Sequence, residues 1–244
     1  MHGKIRLDVA LVERGFVESR EKAQRLIMAG QVKVCETVAT KPSQKVGSED
    51  PLIIVAREKF VSRGGFKLEA ALESFEISCQ DKVCLDLGAS TGGFCDCLLQ
   101  RGAQRVFAVD VGKNQIAWKL RNDPRVRVLD RINARYLHPS LLNELADLVT
   151  ADVSFISLSK VLPAAMQCAR TGADFVVLIK PQFEAGRQSV ERGGVVRDPT
   201  VHQQVIKKLR SFIEKSLNAK WRDVMQSPIE GPAGNKEFLA WFQK

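Results

Sequence analysis

A strand, a glycine-rich turn and a helix follow one another through Val83-Cys-Leu-Asp-Leu-Gly-Ala-Ser-Thr-Gly-Gly-Phe-Cys95. The near-continuous apolar run at 83–87 reads as a strand buried on both faces, which requires a sheet covered by helices on either side. The rest of the chain repeats the alternation. Helices are predicted over 67–75, 93–100, 115–121, 158–169 and 202–217, and strands over 105–109, 127–129, 147–151, 175–179, 224–227 and 237–242. The expected fold is α/β, a doubly wound, mostly parallel Rossmann-like sheet. Ligands of such sheets sit at the carboxyl ends of the strands, where Gly88 and Gly92 let a ligand come close to the backbone.

The turn reads G-x-S-x-G, which is not the G-x-G-x-x-G of dinucleotide binders. The next strand ends in Asp110, about 20 residues on, where an acid can accept hydrogen bonds from both hydroxyls of a ribose. Asp130 follows the third strand and is placed to meet an exocyclic amine of the same nucleoside. Acids at three successive strand ends, Asp86 included, suit S-adenosylmethionine better than a pyrophosphate cofactor. The same turn occurs as the nucleophile elbow of esterases, with Ser90 as nucleophile. An elbow has several sheet strands before it, whereas this turn follows the first one, and the later histidines, His138 and His202, lie in no catalytic context. A hydrolase is excluded on those grounds.

Lys180 ends an apolar strand and is held by Pro181, with Asp152 at the end of the neighbouring strand. A half-desolvated lysine beside an acid can serve an attacking hydroxyl as base or as donor. Lys67 and Glu237, taken alone, read as surface charges. No residue set is assigned to a metal.

Residues 1–56 are built differently. Leu7, Ala10 and Leu11 recur at helical spacing before Gly15, and Ser19 caps a helix over 20–29 that stops at Gly30. Strand-like pieces follow at 32–34 and 51–55, so a small α+β domain is expected, with a charged linker over 57–61 and the larger domain over 62–244. Lys and Arg number 37 against 28 acids, a formal charge of +9 carried by both parts. That balance favours a polyanionic partner such as nucleic acid. The apolar runs are too short to span a bilayer, and the start lacks the apolar core of a secretion signal. The six cysteines have no C-x-x-C spacing and read as reduced structural thiols, so a cytoplasmic protein with no membrane partner is expected.

Five segments carry a likeness to a known family. Ser62-Arg-Gly-Gly-Phe-Lys67-Leu, Asp86-Leu-Gly-Ala-Ser-Thr-Gly-Gly-Phe94, Asp152-Val-Ser-Phe-Ile-Ser-Leu158, Leu178-Ile-Lys-Pro-Gln-Phe-Glu184 and Gly193-Gly-Val-Val-Arg-Asp-Pro199 resemble the TlyA family. That family is often labelled hemolysin and comprises ribosomal RNA 2′-O-methyltransferases with an FtsJ-like catalytic domain. Residues 4–56, with Arg6-Leu-Asp, Ser19-Arg-Glu-Lys-Ala-Gln-Arg25 and Gly30-Gln-Val-Lys-Val34, resemble the S4-type RNA-binding domain. The resemblance implies a class I S-adenosylmethionine-dependent methyltransferase and a tetrad of Lys67, Asp152, Lys180 and Glu237. In it Lys180 activates a ribose 2′-hydroxyl and the other three orient it and tune its charge.

By the same likeness Gly88, Ser90 and Gly92 hold the methionine end of the cofactor, Asp110 the ribose and Asp130 the adenine, while Asp86 supports the loop. Arg6, Arg20, Arg25 and Lys33 become candidates for phosphate contacts. The family implies cytidine ribose in ribosomal RNA as substrate. The short lead before the first domain resembles the branch acting on the large (50S) subunit, the small (30S) subunit being possible. Two rivals are a membrane-lytic protein and a non-catalytic RNA-binding assembly factor. The first lacks a spanning or long basic amphipathic helix, and an intact tetrad argues against the second.

Overall fold

The computed structural model describes residues 4–55, 59–231 and 234–244, and the chain divides into two compact units that meet between residues 59 and 60. Residues 57 and 58 of the expected linker lie outside the described residues.

The first unit contains β1 (Ile5–Arg6), α1 (Leu7–Glu13), α2 (Arg20–Met28), β2 (Val32–Val34), β3 (Thr37–Val38), β4 (Lys45–Val46) and β5 (Leu52–Ile54). The Ser19 hydroxyl accepts from the Lys22 amide at 3.2 Å, as the N-cap pattern predicts. α2 then runs out into Gly30, whose φ of +69° suits glycine. β2 lies between β3 and β5 in an antiparallel sheet, and β1 pairs with β4. Helices of 7 and 9 residues are too short to stand alone, so tertiary packing must hold them. Leu7, Leu11, Ala23, Ile27 and Val32 supply it as one buried cluster.

The second unit runs α3 (Gly64–Ser74), β6 (Val83–Leu87), α4 (Gly93–Gln100), β7 (Arg105–Asp110), α5 (Trp118–Arg121), β8 (Val126–Asp130), β9 (Ala146–Ala151), α6 (Leu158–Gln167), β10 (Ala169–Ile179), α7 (Pro181–Glu184), α8 (Pro199–Ser216), β11 (Lys220–Gln226) and β12 (Phe238–Gln243). Its sheet has the order β11-β12-β10-β9-β6-β7-β8, parallel from β10 to β8 and antiparallel on both sides of β12. Period-two alternation splits the strand residues between two cores. Leu85, Phe107, Val149, Phe175, Val177 and Phe242 face α6 and α8, whereas Cys84, Val106, Leu148, Val176, Leu178 and Leu239 face α3 and α4. That arrangement is the doubly wound sheet predicted from the apolar runs.

Of the boundaries that differ from the sequence reading, α8 begins at Pro199 and β11 at Lys220, a few residues early, and three others have a local reason. α3 begins at Gly64, three residues early, and its second residue packs too tightly for a side chain: a Cβ on Gly65 would stand 2.3 Å from the Phe60 ring. Low helix propensity hid that turn. α5 is a single turn because 115–117 is drawn to the glycine turn, the Ala117 amide donating to the Thr91 carbonyl at 3.1 Å. β10 starts at Ala169, where the helix was expected to end, and shifts register before Asp174.

Five cysteines are buried, Cys35 is exposed and none is bonded to another. Burial pushes the Cys97 thiol up to about 12, the mark of an inert core thiol. Among the described residues no helix is long and apolar enough to cross a membrane.

Candidate active site

From β6 the chain moves outward through β7 to β8, then returns to place β9 on the other side of β6. The crevice opens at that reversal, between the loops that follow β6 and β9. Gly88 lies at its floor with φ +81°, and a Cβ there would come within 2.4 Å of the Asp152 carbonyl oxygen. Ser90 is also left-handed, at φ +48°, and its amide donates to Asp110 Oδ2 at 2.8 Å. The Gly112 amide donates to Asp110 Oδ1 at 2.7 Å. One bond on each oxygen fixes the carboxylate and leaves further lone pairs for hydroxyl donors.

A cavity of about 290 Å³ opens beside Asp110, lined by Gly88, Ser90 and Asn133 with apolar walls from Val111, Ile132 and Val153. An acid able to take two hydroxyls beside an apolar slot fits a nucleoside, and the tight glycine floor fits a chain reaching past it. Asp130 pairs with Asp110 in register at the ends of β7 and β8 but does not line this cavity. Arg121 holds it at 2.9 Å, which keeps its carboxyl below the usual range. Gly92, at φ +96°, is required by packing: a Cβ would meet Leu120 at 2.3 Å. Asp86 is fully buried under the turn and accepts from Thr150 Oγ1 at 3.0 Å. Burial, reinforced by the charge of Asp152, pushes its carboxyl up to about 7.

The tetrad residues come from four distant parts of the chain and line one adjoining cavity of about 340 Å³. Lys180 Nζ stands 2.5 Å from Asp152 Oδ1 and donates to Ser154 Oγ at 2.8 Å. Lys67 Nζ stands 2.5 Å from Glu237 Oε2. The expectation that Lys67 and Glu237 are surface charges is overturned: they are 6% and 1% exposed. α3 carries Lys67 inward beside Leu68 and Ala71, and Glu237 just precedes β12, so packing buries both. Among the described residues Glu237 Oε1 has no hydrogen-bond partner, and a Cβ on Gly231 would lie 2.2 Å from it.

Several residues around these four were not singled out from sequence. Phe155 is 91% exposed with φ +63°, and its ring centroid lies 5.1 Å from that of Phe183. Both line a third cavity with Lys180 and Glu237. Glu184 accepts from the Leu158 amide and from Ser157 Oγ, both at 2.7 Å. It thereby caps α6 from the end of α7 and brackets the loop bearing Asp152 to the loop bearing Lys180. Asn235 accepts from the Val196 amide at 3.0 Å and donates to the Gly194 carbonyl at 2.9 Å, fixing the 193–197 loop beside Glu237. The signal for Glu184 was its place inside a motif, but its partner lies 26 residues away. Glu184→Ala should lower turnover roughly tenfold, the range of a lost charged cap that fixes Asp152 against Lys180. Binding of both substrates should hold. A steady-state split into kcat and KM checks it.

In the first unit, Arg6 and Arg20 both bond to Asp8, Arg25 is exposed on α2, and Lys33 is half-buried on β2. All four belong to one compact unit.

Comparison with known proteins agrees with this fold and its division into two units. A model described as FtsJ-like methyltransferase matches residues 60–244, and one described as S4 domain matches residues 5–52. The Bacillus subtilis rRNA-methyltransferase-named protein YqxC is 50% identical over 238 residues, 97% of this chain and 84% of that one. The Mycobacterium tuberculosis protein named 16S/23S rRNA (cytidine-2′-O)-methyltransferase TlyA is 46% identical over 247 residues, 100% of this chain and 91% of that one. The solved structure of a hemolysin-named protein from Streptococcus thermophilus superposes with a TM-score of 0.76 at 42% identity, covering 100% of this chain and 90% of that one.

Proposed function

Because the chain belongs to the TlyA family, an S4 domain followed by an FtsJ-like methyltransferase domain, we propose that it methylates the 2′-hydroxyl of a ribose, that of a cytidine, in ribosomal RNA. The observation that carries the reading is the convergence of Lys67, Asp152, Lys180 and Glu237 on one cavity beside the nucleoside-shaped crevice. Residues 62–244 hold the chemistry, and residues 1–56 hold RNA through Arg6, Arg20, Arg25 and Lys33, phosphate contacts that position without reading bases.

S-adenosylmethionine fits the crevice. Gly88 and Ser90 receive its methionine end, with Gly92 setting the turn, Asp86 supporting it and Asp152 close by. Asp110 takes the ribose hydroxyls, and Asp130, already engaged by Arg121, borders the adenine end. Bound there, the cofactor supplies a methyl group activated by its positive sulfur. Lys180, as the neutral amine, would take the proton of the 2′-hydroxyl as that oxygen bonds the methyl carbon and the sulfur–methyl bond breaks with its electron pair going to sulfur, and Asp152 would hold the resulting ammonium. Ser154 fixes the lysine's direction. Lys67 and Glu237 neutralise each other, which keeps the wall of the site rigid and uncharged overall. Phe155 and Phe183 offer aromatic faces on which an unstacked base can rest. Much of the rate then comes from positioning. The reading places the protein in the cytoplasm, where ribosomes are its substrate.

The test uses methyl-labelled S-adenosylmethionine with unmodified 50S subunits, 30S subunits and naked ribosomal RNA. Label is expected in 50S subunits as an alkali-resistant 2′-O-methyl nucleotide, since 23S RNA stands beside 16S RNA in the name of the Mycobacterium tuberculosis relative and alone in that of a Campylobacter jejuni relative 32% identical over 213 residues. Label in 30S alone would move the substrate to the small subunit. No label anywhere, with cofactor bound, would favour an assembly factor.

A further inference from the structure

We propose that Asp8 is a positioning residue for RNA binding, a buried carboxylate that clamps Arg6 and Arg20 into a preset pair of guanidiniums for one RNA phosphate. The inference rests on the reading of Arg6 and Arg20 as phosphate contacts and deepens it. Asp8 Oδ1 accepts from Arg6 Nε at 2.9 Å and from the Val9 amide at 3.1 Å. Its Oδ2 accepts from Arg6 Nη2, Arg20 Nε and Gln24 Nε2, each at 2.9 Å. The Asp8 side chain is 0% exposed, whereas those of Arg6 and Arg20 are 37% and 53% exposed. The anion is therefore inside and the cations open outward.

Each arginine spends only part of its donor fork on Asp8. Nη1 of Arg6 and both Nη groups of Arg20 have no partner among the described residues. Two cations share one anion, so the cluster keeps a net positive charge and retains the planar donors that match a phosphate. The Arg6 guanidinium, with Gln24 and Arg20, holds the Asp8 carboxyl well below its usual range, so the clamp stays ionised at working pH. Arginine side chains carry much rotamer freedom, and a clamp that removes it before binding lets the phosphate contacts form at less entropic cost.

Charge counting and preorganisation here predict opposite signs. If Asp8 only subtracts charge from a basic surface, Asp8→Asn adds one positive charge and RNA binding tightens. If Asp8 clamps, the amide of Asp8→Asn sets N–H against guanidinium N–H, the pair splays and binding weakens. We expect roughly tenfold weaker binding of an unmodified 23S rRNA transcript by the full chain, with a shallower salt dependence. In an Arg6→Ala/Arg20→Ala background the same change should have no further effect, which a merely structural role for Asp8 would not give.

A second variant guards against loss of folding. Arg6→Lys/Arg20→Lys preserves charge at partly exposed positions, yet lysine cannot bond Asp8 and a phosphate through a planar fork, so it too should bind several-fold more weakly. Tighter or unchanged binding by folded Asp8→Asn, or unchanged binding by the double lysine variant, would overturn the proposal. Methyl transfer by the unaltered protein is measured alongside. Its absence would remove the proposed function while leaving the result for Asp8 intact.

Discussion

Lys180→Ala is expected to lower methyl transfer by about 10³-fold, the scale of a lost general base. S-adenosylmethionine binding should change by less than a few fold, because Lys180 lines the tetrad cavity and the third cavity with Phe155 and Phe183 but not the crevice beside Asp110. Melting temperature should hold as well. The lysine follows the end of a strand, with its Nζ between Asp152 Oδ1 and Ser154 Oγ at the wall of a cavity rather than in the core. Single-turnover rates over a pH series, with cofactor affinity by calorimetry, would check it. Undiminished transfer by this variant would remove Lys180 from the chemistry and leave positioning as the whole catalytic effect.

Breaking the Lys67–Glu237 pair should have the largest effect on stability. Either Lys67→Met or Glu237→Gln leaves one buried charge without its counter-ion, which costs about 3–5 kcal/mol. For a unit of this size that lowers the melting temperature by roughly 10 °C. The double variant Lys67→Met/Glu237→Gln removes both charges and should recover a large part of the loss. It should not recover activity, because the wall of the site has changed. Melting curves of the two singles and the double decide the point. Equal loss in all three would mean that the pair is held by its surroundings rather than by mutual compensation. The prediction is sharper because, among the described residues, Lys67 is the cation bonded to that carboxylate and Glu237 Oε1 has no hydrogen-bond partner.

These two predictions draw on different layers of information. Lys180 was legible as a candidate from sequence because a charged residue ending an apolar strand, next to proline, is a local anomaly. Lys67 and Glu237 were not. A lysine on a helix and a glutamate near a strand are ordinary surface residues until packing is known, and 170 residues separate them. Family likeness singled them out, and the fold supplied the reason by burying both. Asp8 lay in a quoted motif yet drew no attention, because an acid in a basic domain looks like a subtraction of charge. Only its five bonds show otherwise.

What the sequence alone determined is the local layer. Period-two and helical apolar spacing set most elements, the apolar strand runs required a two-sided sheet, and Ser19 marked the start of α2. Of the three acids at strand ends, Asp110 lines the crevice, whereas Asp130 is engaged by Arg121 and Asp86 is buried beneath the turn. Tertiary structure decided which polar groups are buried and with whom: Lys67 with Glu237, Glu184 with the start of α6, Asp8 with two arginines. The physical reason is that an ion pair's strength depends on desolvation and geometry at the point of contact. Neither is encoded in spacing along the chain, and both are fixed only when distant elements close over the same few atoms.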